Sequence, residues 1–151
     1  MQGVATHAAR PETGKNAATY LANFLTQYDF EGNAANFLQF IGQKLHKDPY
    51  GEQSGYGKAE PKLGKTSQNI GITDFIVNKT GHINLNFRHS LAFDEADTVS
   101  QILSDEPWLT KIIRDPAGVV PHYVGKDNQL VKLLADAYES VTGKAPDQGV
   151  N

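Results

Sequence analysis

Cysteine is absent from this 151-residue chain, so neither a disulfide nor a thiolate-held metal can organise it. That favours a reducing, cytoplasmic setting. No apolar run approaches the roughly 18 residues of a membrane span. The N-terminus also lacks the basic and apolar regions of a signal peptide. Net charge is −3 and the lysines are scattered, which leaves no footprint for nucleic acid and no polybasic patch for a membrane. With 151 residues the chain can bury one core. The expectation is a soluble cytoplasmic domain with no nucleic-acid or membrane partner.

Hydrophobic periodicity orders the chain. A first helix is expected over 15–28, with Ala17, Leu21, Phe24, Leu25 and Tyr28 as its stripe. A second is expected over 33–45 on Ala34, Phe37, Leu38, Ile41 and Leu45. Residues 47–66 are irregular and rich in glycine; connections that long are usually functional or mobile. A hairpin follows, with strands over 67–77 and 82–91 around Asn78-Lys79-Thr80-Gly81. Its second strand alternates, with Ile83, Leu85 and Phe87 on one face and His82, Asn84, Asn86 and Arg88 on the other. Asp94 caps a helix to about 103, and 109–114 reads as a strand ending at Asp115-Pro116. A last helix starts at Asp127, carries Leu130, Leu134, Ala137, Tyr138 and Val141, and stops at Gly143 with Pro146 beyond. The order β-α-α-β-β-α-β and a final helix predicts an α+β fold: an antiparallel sheet with helices packed on one face, a ferredoxin-like sandwich.

The densest signal lies at the start. Gly3, His7, Pro11, Gly14, Asn16, Ala17 and Ala18 spell G-x-x-x-H-x-x-x-P-x-x-G-x-N-A-A across a short strand, a punctuated loop and a helix start. This resembles the lid-domain signature of dinuclear-zinc dipeptidases and aminoacylases, in particular the PepV-like dipeptidases. His46-Lys47-Asp48-Pro49-Tyr50-Gly51, Asn86-Phe87-Arg88 and Pro121-His122-Tyr123-Val124 extend the likeness over nearly the whole chain. The resemblance implies a lid domain at 1–120, in part, and at 121–151 a re-entry segment with a helix of a catalytic domain. It also implies a parent hydrolase with two zinc ions, a peptide substrate, and the parent's catalytic domain as partner.

The ligand set that such a zinc pair requires is not in the sequence. There is no Glu-Glu pair, and the one His-x-Asp, His46-Lys47-Asp48, sits at a helix end and runs into Pro49. The expectation is a lid fragment, inactive alone and prone to self-association because a cut domain exposes apolar surface.

Within the resemblance, His7 implies a donor to the scissile carbonyl oxygen, which gains charge in the transition state. Outside it, His7 is an ordinary loop histidine. Arg88 implies a bidentate clamp on the substrate's terminal carboxylate, with Asn86 beside it in the N-x-R motif; its plain alternative is a solvated strand arginine. Asn16 belongs to the first helical turn, His82, His89 and His122 read as structural or exposed, and Trp108 as a packing residue. The rival functions are a non-catalytic module that binds a small ligand or oligomerises, and the lid of a related aminoacylase or tripeptidase.

Overall fold

The computed structural model describes residues 1–8, 10–115 and 118–146. A 3₁₀ turn at Pro11–Thr13 leads into α1 (Ala17–Leu25), and α2 (Gly32–Gln39) runs on through a π-helical turn, Phe40–Lys44. Two short strands, β1 (Ala59–Glu60) and β2 (Gly64–Lys65), pair antiparallel. The long hairpin follows as β3 (Ser67–Phe75) and β4 (Gly81–Arg88), then α3 (Glu95–Asp105) and α4 (Gln129–Thr142). The class is α+β.

The helix starts follow capping chemistry. Asn16 Oδ1 accepts from the amides of Ala18 (3.1 Å) and Thr19 (3.4 Å), a cap that stabilises a helix by about 1 kcal/mol. Asn16 Nδ2 also donates to the Ile70 carbonyl at 2.7 Å, tying α1 to β3 beside a break in strand register between Ile70 and Ile72. Asp94 caps α3 through the Asp97 amide at 2.9 Å. The last helix is capped by Asn128, one residue beyond the expected Asp127, and Gly143 ends it in the left-handed conformation (φ 68°) that glycine favours. α1 stops at Leu25, short of the expected 28, because Gln27 and Tyr28 donate to Phe24 and Leu25 in tighter turns.

One core unites α1, α2 with its π turn, α3 and the long hairpin. Ala22, Phe37, Phe40, Ile41, Leu45, Tyr56, Ile70 and Ile102 are buried together, with the inward Ile83, Leu85 and Phe87 of β4 packed against them. Helices α1, α2 and α3 thus pack on one face of the ribbon, as the alternation in β4 requires.

The sheet is smaller than the sequence predicts. Val4 makes a single bridge to Lys15 rather than joining the ribbon, and 109–114 is not a strand. The reason lies in its spacing: Leu109 and Ile112 pack on the core three residues apart, while Ile113 is 76% exposed. Strand pairing needs a period of two. Pro116, expected to close that strand, lies outside the described residues.

The irregular 47–66 segment is held by one buried carboxylate. Asp48, 5% exposed, accepts from the amides of Glu52 and Ser54 at 2.8 Å each and from Gln68 Nε2 at 3.0 Å. Gln68 Nε2 also reaches the Asp48 carbonyl at 2.7 Å, and the Gln68 amide donates to Pro49. The carboxylate thereby pins the loop to β3. Thr66 and Ser90, both fully buried and bonded at 3.1 Å, lock the base of the hairpin.

None of the residues of α4 is buried; Leu130, Leu133 and Leu134 are each about 60% exposed and Val141 is 86% exposed. No helix among the described residues is long and apolar enough to cross a membrane.

Replacing Asp48 by Ala leaves the buried Ser54 amide and the part-buried Glu52 amide without their acceptor, while Gln68 Nε2 keeps the backbone carbonyl. It is therefore expected to destabilise the fold by about 2–4 kcal/mol, read as a lower urea midpoint. The chain is also expected to self-associate through the α4 face. Light scattering after size exclusion checks this, and Leu130→Glu with Leu134→Glu should restore the monomer.

Candidate functional site

The opening motif folds as a closed loop. Val4 and Lys15 exchange backbone hydrogen bonds at 3.0 and 2.9 Å, clamping its two arms. Thr6 Oγ1 donates to the Arg10 carbonyl at 3.1 Å and pairs with Thr13 Oγ1 at 2.6 Å, while Thr13 Oγ1 reaches the same carbonyl at 2.9 Å. Pro11 starts the 3₁₀ turn, where a missing N–H does no harm. Gly14 is required by space: a Cβ there would lie 2.5 Å from Thr6 Cγ2 and 2.9 Å from the Val4 carbonyl oxygen. Gly14, Pro11 and Asn16 therefore shape the loop, and His7 sits exposed at its tip, its carbonyl accepting from Arg10 at 2.9 Å.

The loop tip is moored to the ribbon. Ser67 Oγ donates to the Ala8 carbonyl at 3.0 Å, and Ser67 lies directly opposite Arg88 in the hairpin. His7, one residue before that anchor, is thus brought to the Arg88 end of the ribbon. Arg88 is exposed and, among the described residues, makes no ion pair.

Asn86 shares the exposed face with Arg88, opposite Asn69. It donates through Nδ2 to Asn84 Oδ1 at 2.5 Å, and the pair lies over Gly71, where a Cβ would come within 3.0 Å of Asn84 Oδ1. The register shift at Gly71 turns Ile72 outward, 64% exposed beside Asn84. The Asn-Asn-Arg row predicted from alternation is realised as one polar surface, with a guanidinium at the moored end.

The other histidines divide by packing. His46 Nδ1 lies 3.1 Å from Thr19 Oγ1, with its ring edge-on to Tyr20 at 4.5 Å. Burial, then the Lys47 charge, lowers its pKa. His89 stacks on Phe93 at 4.4 Å, and burial lowers its pKa despite Glu95 nearby. His82 is exposed opposite Asp74, and His122 is exposed. Trp108 packs on Phe40 at 6.0 Å and donates to Glu106 at 2.7 Å. In His46-Lys47-Asp48 both carboxylate oxygens already accept from the protein, so this His-x-Asp is a loop anchor. Among the described residues, no group of three or more His, Asp or Glu is placed to hold a metal ion.

The mooring of the loop by Ser67, the Asp48 anchor and the break at Gly71 were not read from the sequence. Only the position of Asp48, four residues before Glu52 and just before a Pro-Tyr-Gly turn, carried a signal for a turn-capping aspartate.

Comparison with known proteins gives a consistent neighbourhood. The chain is 31% identical over 142 residues to a Beta-Ala-Xaa dipeptidase of Lactobacillus delbrueckii subsp. lactis, covering 94% of this chain and 30% of that protein. It is 30% identical over 143 residues to a Staphylococcus saprophyticus protein that carries a provisional dipeptidase name, with 95% and 30% covered. A similarly named Staphylococcus epidermidis protein is 29% identical over 143 residues, with the same coverage. The chain thus spans about 30% of the length of the curated relatives it matches. No family model matches it.

Because His46 and His89 titrate below the ordinary value near 6.5, the native state binds fewer protons than the unfolded chain below that pH. The stability they contribute is complete above pH 6.5 and is lost as the pH falls beneath it. Urea midpoints across that range check this, and His46→Gln should flatten the dependence.

Proposed function

We propose that this chain is the lid-domain part of a zinc-dependent, PepV-type dipeptidase, with 1–120 forming the lid and 121–151 returning toward a catalytic domain. Its cytoplasmic setting belongs to the same reading. The observation that carries it is the mooring of the His7 loop, through Ser67 and Ala8, to the strand position opposite Arg88. The dipeptidase names of the relatives support it, as does the exposed apolar face of α4. Among the described residues no donor set fits a zinc pair, so in this reading the two ions are held by ligands of the catalytic domain.

In this reading the residues of the chain act on the two ends of the scissile unit. The Arg88 guanidinium presents a planar pair of N–H groups to the free carboxylate of the dipeptide. Asn86 offers an amide on the same face and is held in place by Asn84. The His7 imidazole donates to the peptide carbonyl oxygen, a contact that strengthens as the oxygen becomes negative. Holding both ends at once sets the reach of the site to a dipeptide. A lid closing over the substrate also excludes water.

The test uses the longer protein that carries this chain. His7→Ala is expected to lower kcat by roughly 10²–10³-fold with little change in KM. Arg88→Ala is expected to raise KM about 10- to 100-fold, and Arg88→Lys should not recover it, because an ammonium cannot form the fork. Normal kcat in His7→Ala and normal KM in Arg88→Ala would instead favour the non-catalytic ligand-binding module. Preference for acylated amino acids or tripeptides would favour the lid of an aminoacylase or tripeptidase.

A further inference from the structure

A cavity of about 250 Å³ lies between the 4–15 loop, the start of α1, the turn after the π helix and β3. Much of its polar lining is engaged within the protein. Asn16 caps α1 and holds Ile70, Thr19 bonds His46 and the Asn16 carbonyl, and Asp48 with Gln68 anchors the neighbouring loop. Four lining groups keep hydrogen-bonding capacity. Lys47 has no carboxylate partner among the described residues, and its Nζ lies over the Tyr20 ring at 5.6 Å. The Tyr20 hydroxyl and the Asn69 amide make no side-chain hydrogen bond among the described residues. Glu12 accepts from the Tyr50 hydroxyl, a bond that adds to burial in raising the pKa of that phenol.

The cavity therefore carries one cation, Lys47, and two carboxylates, of which Asp48 is engaged by the loop and Glu12 forms no ion pair with Lys47. Lys47 is moreover held at φ 57°, a left-handed conformation that disfavours any residue with a Cβ. The chain would relax with glycine there, yet a long ammonium stands at the rim. Pro11, Leu45 and Pro49 add a small apolar wall. The volume is below the roughly 300–1,000 Å³ of pockets for drug-sized ligands, so the occupant is small.

We propose that this cavity binds one free α-amino acid as its zwitterion. The carboxylate rests on Lys47, the ammonium on Glu12, and Asn69 and the Tyr20 hydroxyl complete the contacts. A short side chain lies against Pro11 and Leu45. Such a site answers to the concentration of free amino acids, whatever reaction the longer protein performs, and it does not rest on the roles of His7 and Arg88.

The test is a titration of the isotope-labelled 151-residue chain, followed by amide NMR shifts. L-alanine is the probe; propionate and ethylamine each present one of its two charges. The expected result is saturable binding of alanine in the millimolar range, the weak end of specific recognition, with shifts at Asn16, Lys47 and Asn69. Either single-charge analogue should bind at least about tenfold more weakly, since each lacks one charge-assisted hydrogen bond. Glu12→Gln should weaken alanine to a similar extent. Lys47→Gly removes the ammonium while easing the backbone, so it should fold at least as stably and still lose alanine binding by at least about tenfold. No saturable shift with alanine, equal binding of the analogues, or unchanged binding in well-folded Lys47→Gly would each overturn the proposal.

Discussion

The Asp48 carboxylate is the interaction on which the rest of the arrangement depends. A connection running from 47 to 66 has few apolar side chains and many backbone groups to satisfy. One buried side chain solves much of that problem, since its two oxygens accept from Glu52, Ser54 and Gln68. Gln68 is the second residue of β3, so the loop and the hairpin are fixed to each other at that point. The next residue back, Ser67, holds the His7 loop through Ala8, and the strand position opposite it is Arg88. Three separate pieces of chain are therefore positioned by consecutive residues of one strand. Buried charge is tolerated at Asp48 because every oxygen has donors, as low-dielectric surroundings demand.

Sequence patterns made the local elements legible and left the long-range tethers hidden. Alternation in β4 identified its polar face, Asn84, Asn86 and Arg88, because a period of two is a local property of the backbone. The stripe of the second helix and the cap at Asp94 were equally readable, whereas α1 buries Thr19 and Ala22 and leaves the expected Leu21 and Phe24 exposed. The size of the sheet was not. Segment 109–114 has the β-branched composition of a strand, yet Leu109 and Ile112 reach the core with a spacing of three, and Glu95 takes Arg114 in a two-point ion pair at 2.6 Å. Tertiary packing overrode propensity there. The anchor at Asp48, the mooring at Ser67 and the break at Gly71 each join residues far apart in sequence or shift a register by one, and neither leaves a periodic trace.

The glycines, proline and asparagine of the opening motif shape its loop and cap its helix, leaving His7 exposed at the tip. Rigid placement of an exposed polar group is what a binding site requires: the ordering entropy is met by the fold before the ligand arrives. On the ribbon, Arg88 stands at the end nearest that tip, with Asn86 beside it. The apolar face of α4 is exposed, and the chain spans about 30% of the length of the relatives it matches.

The central claim is that Arg88 recognises the free carboxylate of a dipeptide, and a two-by-two cycle tests it most directly. Native longer protein and its Arg88→Ala variant are each assayed with a dipeptide and with the same dipeptide amidated at its C-terminus. If the two groups meet, amidation lowers kcat/KM of the native protein by about 10- to 100-fold and changes the variant little, because the contact is already gone. Equal losses in the two proteins, additive across the cycle, would contradict the account.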